Sequence, residues 1–150
     1  HIRALMHTVK YHGHFPAGAL LGEILATFLK ERVEKGTLII PIPLSKNRFR
    51  SRGYNQVSYI LEHAIYTSPS LQHHVCNALR RVRNTPSQTT LNKNDRSKNV
   101  YRVFTALPSV KGAHVILIDD VVTTGSTLLE ARRELLQAGA VSVRLVACAG

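Results

Sequence analysis

Cysteine is scarce in this chain. Cys76 and Cys148 are the only two cysteines among 150 residues, and they lie far apart without a C-x-x-C spacing. Such a pattern indicates neither a disulfide framework nor a zinc site. It agrees with a reducing compartment, and we therefore expect a cytoplasmic protein.

Long apolar runs are missing as well. No stretch approaches the roughly 18 to 20 apolar residues that cross a bilayer, and the N-terminus has no apolar block typical of a signal peptide. We expect a soluble protein without a membrane span. No internal repeat or low-complexity tract is found, and a chain of this length suits one domain that buries roughly 70% of its unfolded surface. The chain begins with His1 rather than Met, so we expect residues to precede it in the complete protein.

Acidic residues are also few, with nine Asp and Glu against twenty Lys and Arg. The imbalance is greatest between Lys46 and Arg102, where eleven cations minus two acids leave a net charge of +9. Such a field attracts polyanions, either a polyphosphate substrate or nucleic acid. The alternative is a generally basic, solvated surface.

The most informative stretch runs from Val115 to Thr127. Its opening run, Val115 to Ile118, is apolar at every position, which predicts a central strand of a parallel sheet with both faces covered. Two carboxylates, Asp119 and Asp120, close this strand. Since ligands in open α/β sheets bind beyond the carboxyl ends of the strands, the acids lie where a ligand is expected.

A small, hydroxyl-rich turn follows the acids and precedes a segment with helical periodicity. Amides at a helix N-terminus lack intrahelical partners and can bind an anion. A glycine lets the backbone approach that anion, and hydroxyls can donate hydrogen bonds to it. The turn fits a monophosphate, and the candidate residues are Thr123, Thr124, Gly125, Ser126 and Thr127. The alternative is that Ser126 or Thr127 only caps the helix and that the aspartates only terminate the strand.

Two other phosphate-binding motifs are excluded. No Gly-Lys-Ser/Thr follows the strand, which rules out a Walker-type loop, and the three glycines of a dinucleotide fingerprint are missing.

A second candidate anion site lies near the first predicted strand, Thr37 to Ile42. Four cations without an intervening acid follow it, namely Lys46, Arg48, Arg50 and Arg52. We expect an extended loop in which alternate side chains point the same way, so that all four line one wall of a pocket. Pyrophosphate is the natural guest, because arginine offers it bidentate hydrogen bonds.

The remaining periodicity predicts alternating helices and strands. Helices are predicted at residues 2–12, 17–34, 54–67 and after the turn, and further strands at 73–83 and 141–147. This order predicts a right-handed, mostly parallel twisted α/β sheet with helices on both faces. We expect residues 84–99 to form a loop that closes over a ligand, the alternative being an ordinary surface loop.

The segment from Val115 to Thr127 resembles the phosphoribosyl pyrophosphate (PRPP) binding motif of the type I phosphoribosyltransferases: hydrophobic residues, two acids, two variable residues and a Thr-Gly-Ser/Thr turn. The resemblance implies that Asp119 and Asp120 face the ribose hydroxyls and are the candidate catalytic residues. It also implies that Thr123 to Thr127 hold the 5′-phosphate. In such chemistry pyrophosphate leaves the anomeric carbon, and Mg²⁺ is bound by substrate oxygens rather than by a protein cage.

The stretches Pro-Ile-Pro-Leu-Ser (41–45) and Arg-Gly-Tyr-Asn-Gln (52–56) are similar to the hallmark of the ComF family, phosphoribosyltransferase-like proteins associated with bacterial DNA uptake. Tyr54 stands where that family usually has Phe. In the loop region and just after it, five residues recur in the family's spacing: Gln88, Leu91, Arg96, Asn99 and Phe104. The resemblance covers about Leu5 to Ala147 and implies one phosphoribosyltransferase-like domain over 1–150. The cysteine-rich zinc-binding module common upstream in this family is not in this sequence.

Two functions follow as hypotheses. The first is a PRPP-binding protein that can transfer a phosphoribosyl group with loss of pyrophosphate. The second is a non-catalytic, single-stranded-DNA-binding accessory of natural transformation, with Tyr54, Tyr59 and Tyr101 available for base stacking. No base-recognition set is evident, so the sequence leaves the acceptor, turnover and oligomeric state open.

Overall fold

A computed structural model describes residues 2–12, 15–82, 103–121 and 125–149. Its α-helices are α1 (Ile2–His12), α2 (Phe15–Lys30), α3 (Lys46–Arg52), α4 (Gln56–Thr67) and α5 (Ser126–Gln137). Its strands are β1 (Thr37–Pro41), β2 (Leu79–Arg81), β3 (Phe104–Ala106), β4 (His114–Val121) and β5 (Ser142–Ala149). Short 3-10 helices span Pro69–His74 and Pro108–Val110.

The main sheet has the order β1-β4-β5, and both strand pairs are parallel. Thr37, His114 and Ser142 lie side by side at its amino edge. The uninterrupted apolar run of β4 occupies the centre, where both faces are buried. The predicted central strand and parallel α/β sheet are therefore confirmed.

Side chains of β4 alternate between two hydrophobic clusters because successive residues of a strand point to opposite faces. Ile116 and Ile118 pack against α1, α2 and α4. Val115 and Leu117 pack on the other side against α5, β2 and β3. Both faces are covered, as the all-apolar run predicts, and we refer to them as the α4 face and the α5 face.

The predicted strand over residues 73–83 was wrong for its first part. The 3-10 helix extends through His74, and Val75 makes only a single parallel bridge to Ile39. A strand forms only at β2, which pairs antiparallel with β3 in a separate two-stranded sheet. The apolar residues of this segment do not alternate, so periodicity did not define its boundaries. Helices α2 and α4 were found at their predicted places, with ends that differ by a few residues.

The close contact between α2 and α4 depends on two glycines of α2. A Cβ at Gly18 would lie 2.2 Å from Cε1 of Tyr59, and a Cβ at Gly22 would lie 2.4 Å from Cβ of His63. These distances are well inside van der Waals contact. Glycine is therefore required where the two helices meet.

Within the described ranges, no helix combines the length and the apolar character that crossing a membrane requires.

Candidate functional site at the carboxyl edge of the sheet

The acid pair lies within the last residues of β4, at the carboxyl edge of the sheet, and both residues are half-buried. The alternation of the strand places Asp119 on the α5 face, after Val115 and Leu117, and Asp120 on the α4 face, after Ile116 and Ile118. The two carboxylates therefore lie on opposite faces of the sheet at its carboxyl edge.

Each carboxylate is partly fixed by the backbone that follows it. Oδ1 of Asp119 accepts a hydrogen bond from the amide of Asp120 at 2.8 Å, and Oδ1 of Asp120 accepts one from the amide of Val121 at 2.7 Å. The second oxygen of Asp120 accepts a hydrogen bond from another element.

Gln56 reaches the second oxygen of Asp120. Its side chain is 2% exposed, and its Nε2 donates to Oδ2 of Asp120 over 2.6 Å. Its Oε1 accepts from Nη1 of Arg52 at 3.2 Å. The sequence analysis named Gln56 as the last residue of the Arg-Gly-Tyr-Asn-Gln stretch but assigned it no role at the site. A usable signal was present, because Gln56, Ile60 and Ala64 form one buried stripe of α4, and a buried amide requires polar partners.

Asn55 determines where Gln56 lies. Its Oδ1 accepts from the amide of Val57 at 3.0 Å and caps α4, while its Nδ2 donates to the carbonyl of Ile42 at 2.9 Å. The end of β1 is thereby joined to the start of α4. This join brings the first residue of α4 to the carboxyl edge of the sheet.

The basic segment is helix α3, and the predicted extended loop was wrong. The hydroxyl of Ser45 accepts from the amide of Arg48 at 3.4 Å and caps the helix. Gly53, with φ of +79°, ends it by donating to the carbonyl of Phe49 at 2.7 Å. In a helix, residues four apart share a face and residues two apart do not. The four cations therefore form two pairs.

The inner pair, Arg48 and Arg52, lies toward the acid pair. Arg52 contacts Gln56, and Arg48 lies near Arg81 of β2. Burial lowers the pKa of Arg81 from its usual value, the positive charge of Arg48 lowers this pKa further, and the carboxylate of Asp119 opposes the shift. Arginine still keeps its proton at neutral pH. Arg81 is therefore a half-buried cation close enough to Asp119 to feel its charge.

The outer pair, Lys46 and Arg50, lines a separate open cleft of about 430 Å³. Phe49 borders the same cleft and is 52% exposed. The other lining residues are Pro43, Leu44, Asn55 and Ser58. The sequence predicted that all four cations line one wall. In the structure they lie instead on two faces of one short helix.

The turn after β4 leads into the N-terminus of α5. Gly125 has φ of +72° and ψ of −4°, and it is the residue that precedes the helix. Ser126 and Thr127 are half-buried within the first turn, so neither is the N-cap. The predicted phosphate site is thus represented by Gly125, Ser126 and Thr127, and its other two members, Thr123 and Thr124, lie outside the described residues.

The predicted loop residues Gln88, Arg96 and Asn99 also lie outside the described residues, as does Tyr101. Their expected role in closing over a ligand stays a prediction.

Cys148 lies in β5 beside the acid pair. Burial raises the pKa of its thiol to about 12, and the negative charges of Asp120 and Asp119 add to this effect. The thiolate is the nucleophilic form and the metal-binding form. Because this cysteine stays protonated at neutral pH, it serves neither role there.

The sheet is parallel, an acid pair lies at the end of its central strand, and the helix that follows begins directly after a glycine. This arrangement defines a phosphoribosyltransferase fold. Among solved structures, the glutamine PRPP amidotransferase of B. subtilis, complexed with ADP and GMP, superposes with a TM-score of 0.54 at 18% identity. The match covers 87% of this chain and 26% of that one. Residues 64–150 match the phosphoribosyl transferase domain family. The chain belongs to this family.

Curated relatives confirm the resemblance to ComF-type proteins. The DNA utilization protein YhgH of Salmonella typhimurium strain LT2 is 33% identical over 132 residues, covering 86% of this chain and 56% of the relative. The competence protein ComFC of Bacillus subtilis strain 168 is 36% identical over 121 residues, covering 81% and 47%. The chain spans about half the length of these curated relatives.

Proposed function

We propose that the carboxyl edge of the sheet binds PRPP, or a closely related phosphorylated ribose, and transfers its phosphoribosyl group to an acceptor with release of pyrophosphate. The observation that carries the proposal is the acid pair between two sources of positive potential. The inner face of α3 lies on one side, and the N-terminus of α5 follows β4 on the other. A sugar with phosphate groups at both ends and hydroxyl groups between them is complementary to this charge pattern.

Each part of the ligand has a proposed contact. Asp119 and Asp120 accept hydrogen bonds from the ribose hydroxyls. Residues 123–127 hold the 5′-phosphate through hydroxyls and first-turn amides. Arg48 and Arg52 bind the pyrophosphate, with Arg81 adding positive charge beside Asp119.

In the proposed transfer, the bond between the anomeric carbon and pyrophosphate breaks, and its electron pair leaves with the pyrophosphate. A lone pair of the acceptor forms the new bond, and the acceptor releases a proton. Positive charge develops on the sugar and negative charge on the departing oxygen. The arginines stabilise the negative charge, and the carboxylates near the ribose stabilise the positive charge.

Magnesium fits this donor set as a substrate-bound ion. No group of three or more His, Cys, Asp or Glu in the described ranges forms a metal cage. Mg²⁺ is commonly held by one or two carboxylates together with substrate phosphates and water. Asp119 and Asp120 are the residues that would contact it, and the ion would neutralise charge on the pyrophosphate when bound.

Titration calorimetry with PRPP and Mg²⁺ tests the binding. We expect saturable heat from the unaltered chain and a loss of at least about tenfold in affinity for Asp119→Asn and for Asp120→Asn, because each removes a charged hydrogen-bond acceptor. Glu23→Gln is the matched control, since Glu23 is an exposed acid on α2 that is far from both aspartates in the sequence. No heat at millimolar PRPP would remove the proposal.

A second candidate function, binding of single-stranded DNA, is favoured by the outer face of α3. Lys46 and Arg50 can contact phosphates, and the exposed ring of Phe49 between them can stack on a base. Of the tyrosines predicted to stack on bases, Tyr54 and Tyr59 are engaged in helix packing. The hydroxyl of Tyr54 donates to the carbonyl of Val9, and the rings of Tyr54 and Tyr59 meet edge to face at 6.0 Å.

Fluorescence anisotropy with labelled oligothymidylate tests this second function. Lys46→Gln with Arg50→Gln should weaken binding and reduce the slope of log affinity against log salt by about 1.4, since each lost phosphate contact removes about 0.7 for a single strand. Phe49→Leu should weaken binding about tenfold without changing that slope. Phe28→Leu is the control, because Phe28 also has a partly exposed ring but lies on α2, away from the cleft residues of α3. An unchanged slope in the double variant, or equal loss in both phenylalanine variants, counts against the cleft.

A further inference from the structure

We infer that Gln56 is a positioning residue that holds the carboxylate of Asp120 toward the ribose and joins it to Arg52 of the pyrophosphate-binding face. This inference rests on the proposed function. Gln56 is buried, so it meets solvent and ligand only through its neighbours. Its role is exerted through Asp120 and Arg52.

The chemistry of a carboxamide explains why glutamine suits this position. Its oxygen accepts from the guanidinium of Arg52 at 3.2 Å while its nitrogen donates to the carboxylate of Asp120 at 2.6 Å. A glutamate here would place two carboxylates in contact, and a methionine would fill the space without forming either bond. Of these three side chains, only that of glutamine can accept a hydrogen bond from a cation and also donate one to an anion.

The hydrogen bond from Gln56 completes the orientation of Asp120. One oxygen of this carboxylate is fixed by the amide of Val121 and the other by Gln56. A carboxylate held at both oxygens keeps its plane before the ligand arrives, which lowers the entropy lost on binding. Lone pairs that remain on both oxygens can still accept from ribose hydroxyls.

The same amide couples the two halves of the proposed site. Arg52 and Asp120 lie on different elements, and Gln56 contacts both. Contact of the ribose with Asp120 therefore favours the arrangement in which Arg52 is held for pyrophosphate. Coupling between two binding events is reciprocal, so pyrophosphate contacts should likewise favour ribose binding.

The first test needs no ligand. In ¹H–¹⁵N spectra of the unliganded chain, Asp120→Asn should shift the side-chain amide resonances of Gln56 and speed their exchange with water. Glu23→Gln is the control, because Glu23 is an exposed acid on α2 and this substitution should leave these resonances nearly unchanged. Equal effects of the two substitutions would overturn the contact.

The second test is a double-mutant cycle on PRPP affinity, measured by calorimetry. Arg52→Ala and Asp120→Asn should be non-additive by at least about threefold, and this coupling should vanish when both are made in the Gln56→Met chain. Gln56→Met alone should weaken PRPP about tenfold. Gln56→Glu serves as a second variant if Gln56→Met does not fold, and it should also lose the coupling.

The outcomes separate the two proposals. If the unaltered chain does not bind PRPP, the proposed function fails and the coupling role fails with it, while the spectra still decide whether Gln56 holds Asp120. If the unaltered chain binds PRPP and Gln56→Met binds it equally well, the proposed function stands and the positioning role is wrong. The positioning role of Gln56 is also wrong if Arg52 and Asp120 remain coupled in the Gln56→Met chain.

Discussion

Replacing Arg48 and Arg52 together by alanine is expected to weaken PRPP binding by roughly 100- to 1000-fold. A hydrogen bond to a charged group contributes about 1.5 to 3 kcal/mol, and tenfold in affinity corresponds to about 1.4 kcal/mol. We use the lower part of this energy range for each arginine because Arg48 is exposed to solvent. The affinity for ribose 5-phosphate, which lacks pyrophosphate, should fall by less than about fivefold. This smaller loss arises only because Gln56 no longer has Arg52 as a partner.

The same helix offers a matched control for this prediction. Lys46→Ala with Arg50→Ala removes two positive charges over the same span, from the face that lines the outer cleft. At about 0.1 M salt, charges farther than about 10 Å from the ligand are largely screened. We therefore expect this control to lower PRPP affinity by less than about fivefold in calorimetry at fixed ionic strength. Equal losses for the two pairs, or for PRPP and ribose 5-phosphate, would refute the assignment of the inner face.

Gly22→Ala is expected to destabilise the fold by about 2 kcal/mol, although alanine favours a helix over glycine by about 1 kcal/mol. The new Cβ would lie 2.4 Å from Cβ of His63 and 3.0 Å from the amide nitrogen of Ala64. These atoms belong to the backbone of α4 or are fixed to it, so α2 and α4 must separate. Overpacking of this kind costs about 1 to 3 kcal/mol or more. Urea denaturation gives the free energy of unfolding directly.

Gly18→Ala is the comparison for Gly22→Ala. The change is identical and one helical turn away, but the atoms it meets belong to the ring of Tyr59. A ring can rotate or shift where a backbone cannot, so the loss of stability should be smaller. Equal loss for both substitutions, or a gain at Gly22, would show that helix propensity and not the helix contact governs these positions.

Local patterns along the chain were sufficient to predict the fold class and part of the site. The four apolar residues from Val115 to Ile118 can be buried on both faces only in a covered sheet, and the structure places β4 at the centre. The acids that follow must then lie at the carboxyl edge. The strand that was predicted wrongly, over residues 73–83, had no alternation to define it.

For the basic segment, the spacing of the charges predicted the wrong backbone conformation. Four cations at alternate positions favoured an extended loop, yet Ser45 and Gly53 are the residues that begin and end a short helix. Both cap signals were present in the sequence. They outweighed the charge pattern because cap hydrogen bonds act on the backbone itself, whereas the charges are solvated in either conformation.

The sequence by itself therefore determined the central strand, the acid pair at its end and the helix that follows, because each depends on residues close together in the chain. Only the tertiary structure decided which cations face the acids and what holds Asp120. Gln56 and Asp120 are 64 residues apart, and their contact depends on the pairing of β1 with β4 and on the join between Ile42 and Asn55. The partner of a buried polar side chain is set by packing over such distances, which local periodicity does not encode.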